Sequence, residues 1–83
     1  MKSKADYRLD LRGTITSLAL LKTTQTLRLM QTDQVLEIVG GDPDTRTDLF
    51  KVIPPFSCEL LHMEFVEEGG YCIQLKKIKH FAP

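Results

Sequence analysis

The chain has 83 residues, 42% of them apolar, which is enough for one small core and too little for two domains. Eleven basic and eleven acidic residues cancel to a formal net charge of zero, so there is no sequence-wide field to hold a polyanion or a membrane surface. No apolar run approaches the ~20 residues of a membrane span, and Met1-Lys2-Ser3-Lys4 leads into alternating polar residues without a signal-peptide core. The expectation is a soluble cytoplasmic chain forming one domain, residues 1–83, with its core over about 7–77 and a tail from 78.

From Tyr7 to Arg12 the alternation Tyr-Arg-Leu-Asp-Leu-Arg puts Tyr7, Leu9 and Leu11 on one face of a strand and the charges on the other. Gly13 ends it. From Thr16 to about Gln31, Leu18, Leu20, Leu21, Leu27 and Met30 recur at roughly helical spacing, with Thr16 as the expected N-cap because its hydroxyl can accept from a first-turn amide. Thr23, Thr24 and Thr26 are weak helix formers, so this helix must lean on packing against a sheet. Thr32-Asp33 reads as a turn, and Val35 to Val39 is a β-branched run suited to an interior strand.

After Gly40-Gly41, the pair Asp42-Pro43 starts a second helix, with a carboxylate N-cap followed by a proline whose missing N–H costs nothing there. Thr45, Leu49, Val52 and Ile53 form its buried stripe, and Pro54-Pro55 stops it. The remainder reads as a hairpin: Ser57 to Val66, a turn at Glu67-Glu68-Gly69-Gly70, and Tyr71 to about Ile78. Leu61, Met63 and Phe65 share one face, Tyr71, Ile73 and Leu75 face the helices, and Cys72 falls with Gln74 and Lys76 on the outer face. The order β-α-β-α-β-β predicts a two-layer α/β (α+β) sandwich, a four-stranded mixed sheet with two helices on one face.

The candidate chemistry is sparse. Cys58 and Cys72 are too few for a disulfide framework and lack C-x-x-C spacing; His80 has no ligand-type neighbour at helical spacing, and Cys58 and Glu59, four and three residues before His62, fall with it in a run that reads as a strand and not a helix. No metal and no cofactor are expected.

The run Leu9-Asp10-Leu11-Arg12-Gly13, a helix, Leu36-Glu37-Ile38-Val39, then Asp42-Pro43-x-Thr45-x-x-Asp48-Leu49, Glu59-Leu60 and a glycine-turned hairpin resembles the TusA-like (SirA-like) sulfur-carrier family over about residues 7–77. The resemblance implies the same β-α-β-α-β-β fold and a sulfur relay, in which such proteins accept a persulfide from a cysteine desulfurase and pass it on. In that family the chemistry lies in a Cys-Pro-x-Pro motif after the first strand, where a helix N-terminus favours the thiolate. Laid on this chain without a gap, the motif falls on Thr16-Ser17-Leu18-Ala19, so Thr16 stands at the cysteine position and neither proline is present. A threonine hydroxyl has no accessible anion near neutral pH and cannot hold a persulfide.

The sequence therefore predicts a family member without the carrier thiol, acting by binding a protein partner such as a cysteine desulfurase or in a regulatory complex. Two other functions compete. One is a working carrier that uses Cys58, Cys72 or a partner's thiol, although neither cysteine falls at an expected helix N-terminus. The other is RNA binding through the open sheet face, with Arg8, Lys76, Lys77 and Lys79 as a basic patch; the aromatics that would stack bases, Tyr7, Phe65 and Tyr71, fall on the buried parity, so nucleic acid and membrane are not the expected partners. At the altered motif, Arg12, Gly13, Thr14, Thr16 and Ser17 could hold a small anion or a partner group, whereas helix capping alone accounts for Asp42 and Pro43. Leu18, with Leu21 or Leu29, is expected on the side of the first helix away from the sheet.

Overall fold

The computed structural model describes residues 4–53 and 57–78. The elements are β1 (Tyr7–Asp10), α1 (Thr16–Leu29), β2 (Val35–Gly40), α2 (Pro43–Val52), β3 (Cys58–Phe65), a 3-10 turn (Glu67–Gly69) and β4 (Tyr71–Lys77), in the expected order. The sheet order is β1-β2-β4-β3. β1 pairs parallel with β2, while β4 runs antiparallel between β2 and β3. Parallel neighbours need a crossover connection, which α1 supplies between β1 and β2. Because β1 and β2 point the same way, the helices that follow them both begin at one end of the sheet.

The core lies between sheet and helices. Leu36 and Ile38 from β2 and Tyr71, Ile73 and Leu75 from β4 meet Ala19, Leu27 and Met30 of α1 and Leu49 and Ile53 of the α2 end. Each large aliphatic side chain removed from water contributes ~1.5–3 kcal/mol, so the two central strands and one stripe per helix carry most of the stabilisation. Of the leucine series only Leu27 is fully buried within α1, and Leu18, Leu21 and Leu29 lie away from the sheet as expected. The buried residues of α1 are Ala19, Thr23 and Leu27. At about 100° per residue Leu21 lies roughly 200° around from Ala19, so the two cannot face the sheet together. Thr23 is tolerated inside because its hydroxyl donates to the Ala19 carbonyl at 2.9 Å.

Several boundaries and faces differ from the sequence expectation. β1 stops at Asp10, α1 at Leu29, and Gly40 belongs to β2 rather than breaking it. The proline stop at 54–55 and the tail from Lys79, including His80, lie outside the described residues. Gly40 has a packing reason to be glycine: a Cβ there would collide with the Tyr71 ring, which lies over it. In β3 a bulge between Leu60 and His62 shifts the register, so strict alternation fails at Leu61. Phe65 was expected inside; it is 63% exposed and its ring lies 4.8 Å under the Arg46 guanidinium. At the end of an edge strand there is no further layer to cover it.

Lys77 was expected in an outer basic patch and is instead fully buried on the helix side. It pairs with Cys58 across the hairpin, and its Nζ donates to the carbonyls of Leu27 at 2.6 Å and Met30 at 2.7 Å. These carbonyls belong to the end of α1, where the backbone leaves acceptors unpaired and the helix dipole favours a cation. The outer basic patch is correspondingly reduced: Arg8 is ion-paired with Glu37 at 3.0 Å, Lys76 lies 3.7 Å from Asp33, and Lys79 is outside the described residues.

Candidate functional site

The N-termini of both helices meet at the sheet end formed by the C-terminal ends of β1 and β2. Gly13 takes the positive φ of 76° that the turn into α1 requires, and the Thr14 amide donates to the Leu11 carbonyl at 3.0 Å. The N-cap is Ile15, not Thr16 as the sequence suggests, and no side chain bonds the first-turn amides there. Thr16 is the first helical residue, and its hydroxyl turns across to α2, 2.8 Å from the Thr45 hydroxyl. Thr45 in turn donates to Asp42 at 3.0 Å. A carboxylate can only accept, so the Thr45 proton is committed to Asp42 and Thr16 must donate to Thr45. The result is a directed chain, Thr16 to Thr45 to Asp42, joining the starts of the two helices.

Asp42 has the capping role expected of it. It is the N-cap of α2, its carboxylate accepts from the Asp44 amide at 3.1 Å, and Pro43 follows at the first helical position. The remaining candidates are dispersed. Arg12 folds back on Asp10 with its Nε and Nη2 at 2.9 and 2.7 Å from the two carboxylate oxygens. That guanidinium, by hydrogen bond and charge, holds the Asp10 carboxyl down at about 2. Ser17 is exposed and Thr14 half-buried.

The two cysteines lie elsewhere. Cys58, half-buried at the start of β3, sits beside Lys77, whose ammonium is directed at the C-terminal end of α1. Burial pushes its thiol up, against a smaller opposing effect of the Lys77 charge. Cys72 is on the outer face, as alternation implies, but it is 6% exposed rather than open to solvent. The reason is its central strand: β4 has neighbours on both sides, and the side chains around Cys72 cover it.

Sequence reasoning missed one feature of this sheet end, an open cleft of ≈ 590 Å³ on the face opposite the helices. Arg8 and Arg12 line its β1 side, Glu64 of β3 and Glu67 and Glu68 of the following turn line it elsewhere, and Val39 and Cys72 form its floor. Its sequence signal is the outward parity of Arg8, Glu37, Val39 and Cys72; Arg8 and Glu37 belong to a row across the sheet that the strand register completes with Gln74 and His62. Across that row Arg8 pairs with Glu37, which accepts from Gln74 at 3.0 Å.

Among the described residues no group of three or more His, Cys, Asp or Glu is arranged to hold a metal ion, and no helix is long and apolar enough to cross a membrane. No curated protein matches the chain. The family comparison is positive: a family described as "Sulfurtransferase TusA" matches residues 7–77, which contain all four strands, both helices and the converging helix starts. By fold order and by this match over most of its length, the chain belongs to the TusA sulfurtransferase family, whose members work in sulfur relay with other proteins.

Proposed function

We propose that this chain is a sulfur-relay family member that does not carry sulfur itself and acts as a protein-binding or regulatory module of a cytoplasmic sulfur pathway. The observation that supports this reading is Thr16, the residue at the family's cysteine position, whose hydroxyl begins the hydrogen-bond chain to Thr45 and Asp42. An alcohol there offers neither the nucleophile nor the leaving group of persulfide exchange, in which a thiolate attacks sulfane sulfur and another thiolate departs. The two thiols of the chain do not restore it, since Cys72 is buried on the outer sheet face and burial raises the Cys58 pKa. The scaffold that would dock a partner is retained, with α1 and α2 starting side by side and Leu18 and Leu21 exposed just beyond Thr16.

Incubation with a cysteine desulfurase and cysteine, read by intact mass, tests this. The wild-type chain should take up no sulfur, while Thr16→Cys should gain one sulfur if the docking surface survives. Added sulfur on Cys58 or Cys72 of the wild type, at the rate of Thr16→Cys, would establish the competing reading of a relocated carrier.

A further inference from the structure

The outer face of α1 carries a second apolar stripe. Leu18, Leu21, Gln25 and Leu29 are all exposed, and at about 100° per residue they fall within an arc of roughly 80° on the side opposite Ala19, Thr23 and Leu27. Lys22 and Arg28, also exposed, stand at the two edges of that arc. Scattered surface leucines are ordinary, but these line up along the helix with a base on either flank and no acidic residue anywhere in it. The two bases differ from Arg8, Arg12, Lys51 and Lys76, each of which lies within 3.7 Å of a carboxylate. Among the described residues neither Lys22 nor Arg28 takes part in an ion pair. Beside Gln25, Arg28 and Leu29 the surface opens into a depression of ≈ 350 Å³, able to take an apolar side chain from outside.

An apolar stripe with unpaired cations on both flanks is complementary to an amphipathic helix whose own apolar stripe is flanked by carboxylates. Resting on the reading that the chain acts by binding a protein, we infer that this face of α1 docks such an acidic amphipathic helix of a partner, its apolar residues on Leu18, Leu21 and Leu29 and its carboxylates on Lys22 and Arg28. Two other occupants fit less well. A second copy would bring its own α1, equally basic and with no acid to offer, and one helix ~21 Å long laid on another buries too little for a stable dimer. An anionic membrane holds segments that carry a cluster of about four to eight bases, and this face has two.

The test is amide NMR on the full chain with two synthetic peptides, both held helical by a hydrocarbon cross-link and identical in leucine spacing, one with glutamates flanking the leucines and one with lysines. The glutamate peptide should shift Leu18, Leu21, Lys22, Gln25, Arg28 and Leu29 saturably, with a Kd of roughly 10–500 µM for so small a contact. The lysine peptide should bind about tenfold more weakly, since two exposed charge pairs turn from attraction to repulsion. The paired variant Lys22→Glu, Arg28→Glu should reverse the preference, and unchanged resonances away from α1 would verify its fold. Equal affinity for the two peptides, or no saturable shift from the glutamate peptide up to about 1 mM, would overturn the inference. So would dilution-dependent shifts of the same residues in the free chain, which would make the occupant a second copy, or flotation with phosphatidylglycerol vesicles, which would make it a membrane. Persulfide on wild-type Cys58 or Cys72 would sink the non-carrier reading without moving this titration, and failure of the glutamate peptide to bind would leave the mass result for Thr16→Cys as it stands.

Discussion

Replacing Lys77 with methionine keeps an apolar stem of similar length and deletes the ammonium that faces the end of α1. In the folded chain that group donates to Leu27 and Met30 carbonyls at 2.6 and 2.7 Å from a fully buried position. Hydrogen bonds to a charged group contribute ~1.5–3 kcal/mol each, so two represent roughly 3–6 kcal/mol, and their loss leaves buried carbonyls without this donor. Against this, methionine avoids the cost of taking a cation out of water, which is of the order of several kcal/mol. The expected balance is a loss of ~2–4 kcal/mol, because truncating one side of a buried charged contact is consistently costly. For a chain of this size that lowers Tm by roughly 10–30 °C. Urea titration followed by far-UV circular dichroism measures it, with Lys76→Met as control: Lys76 makes a 3.7 Å surface contact with Asp33, and its loss should cost less than about 1 kcal/mol. If Lys77→Met matches the control or stabilises the chain, desolvation outweighs the bonds and the cap is not what anchors α1.

Thr16→Val and Thr45→Val should each destabilise by about 1 kcal/mol, Thr45→Val more because it accepts from one residue and donates to another. The double variant should fall short of the sum by at least about 0.5 kcal/mol in a mutant cycle, and strict additivity would show that the two hydroxyls do not interact. Gly40→Ala, which drives a methyl into the Tyr71 ring, should cost ~1–3 kcal/mol by chemical denaturation. In a Tyr71→Leu background most of that cost should vanish, and an equal cost in both would place the strain elsewhere. Asp10 should titrate with a midpoint at about 2 by carboxyl-carbon NMR, returning to the ordinary carboxylate range in Arg12→Gln. Since its folded value lies below the unfolded 3.8, the stability it contributes is present above that value and is lost as pH falls through about 2. A wild-type midpoint near 3.8 would mean that the Arg12 fork is not maintained in solution.

The element order, the α2 cap at Asp42-Pro43 and the outward parity of Cys72 were legible because each rests on local rules: period-two alternation, the geometry of proline at a first helical turn, and the switch of faces along a strand. The family match over residues 7–77 likewise follows from motifs in fixed order. Faces were incompletely legible where local rules give equal answers. In α1 Leu18, Leu21 and Leu29 point away from the sheet as the sequence suggests, but five leucines surround most of the helix, so periodicity does not single out Ala19 and Thr23 with Leu27 as the buried stripe; the sheet chose that narrow stripe, which lets the backbone approach. At Phe65 parity was right and exposure was not, since burial needs a covering layer as well as a direction.

What the chain itself determined is its order of elements and the alcohol at position 16, both properties of residues along a line. What tertiary structure alone decided is which groups 29 to 50 residues apart meet: Thr16 with Thr45, and Lys77 with Leu27. Both contacts depend on how two helices settle on one sheet, and that is fixed by shape and by the need to satisfy buried polar atoms, neither of which has a period in sequence.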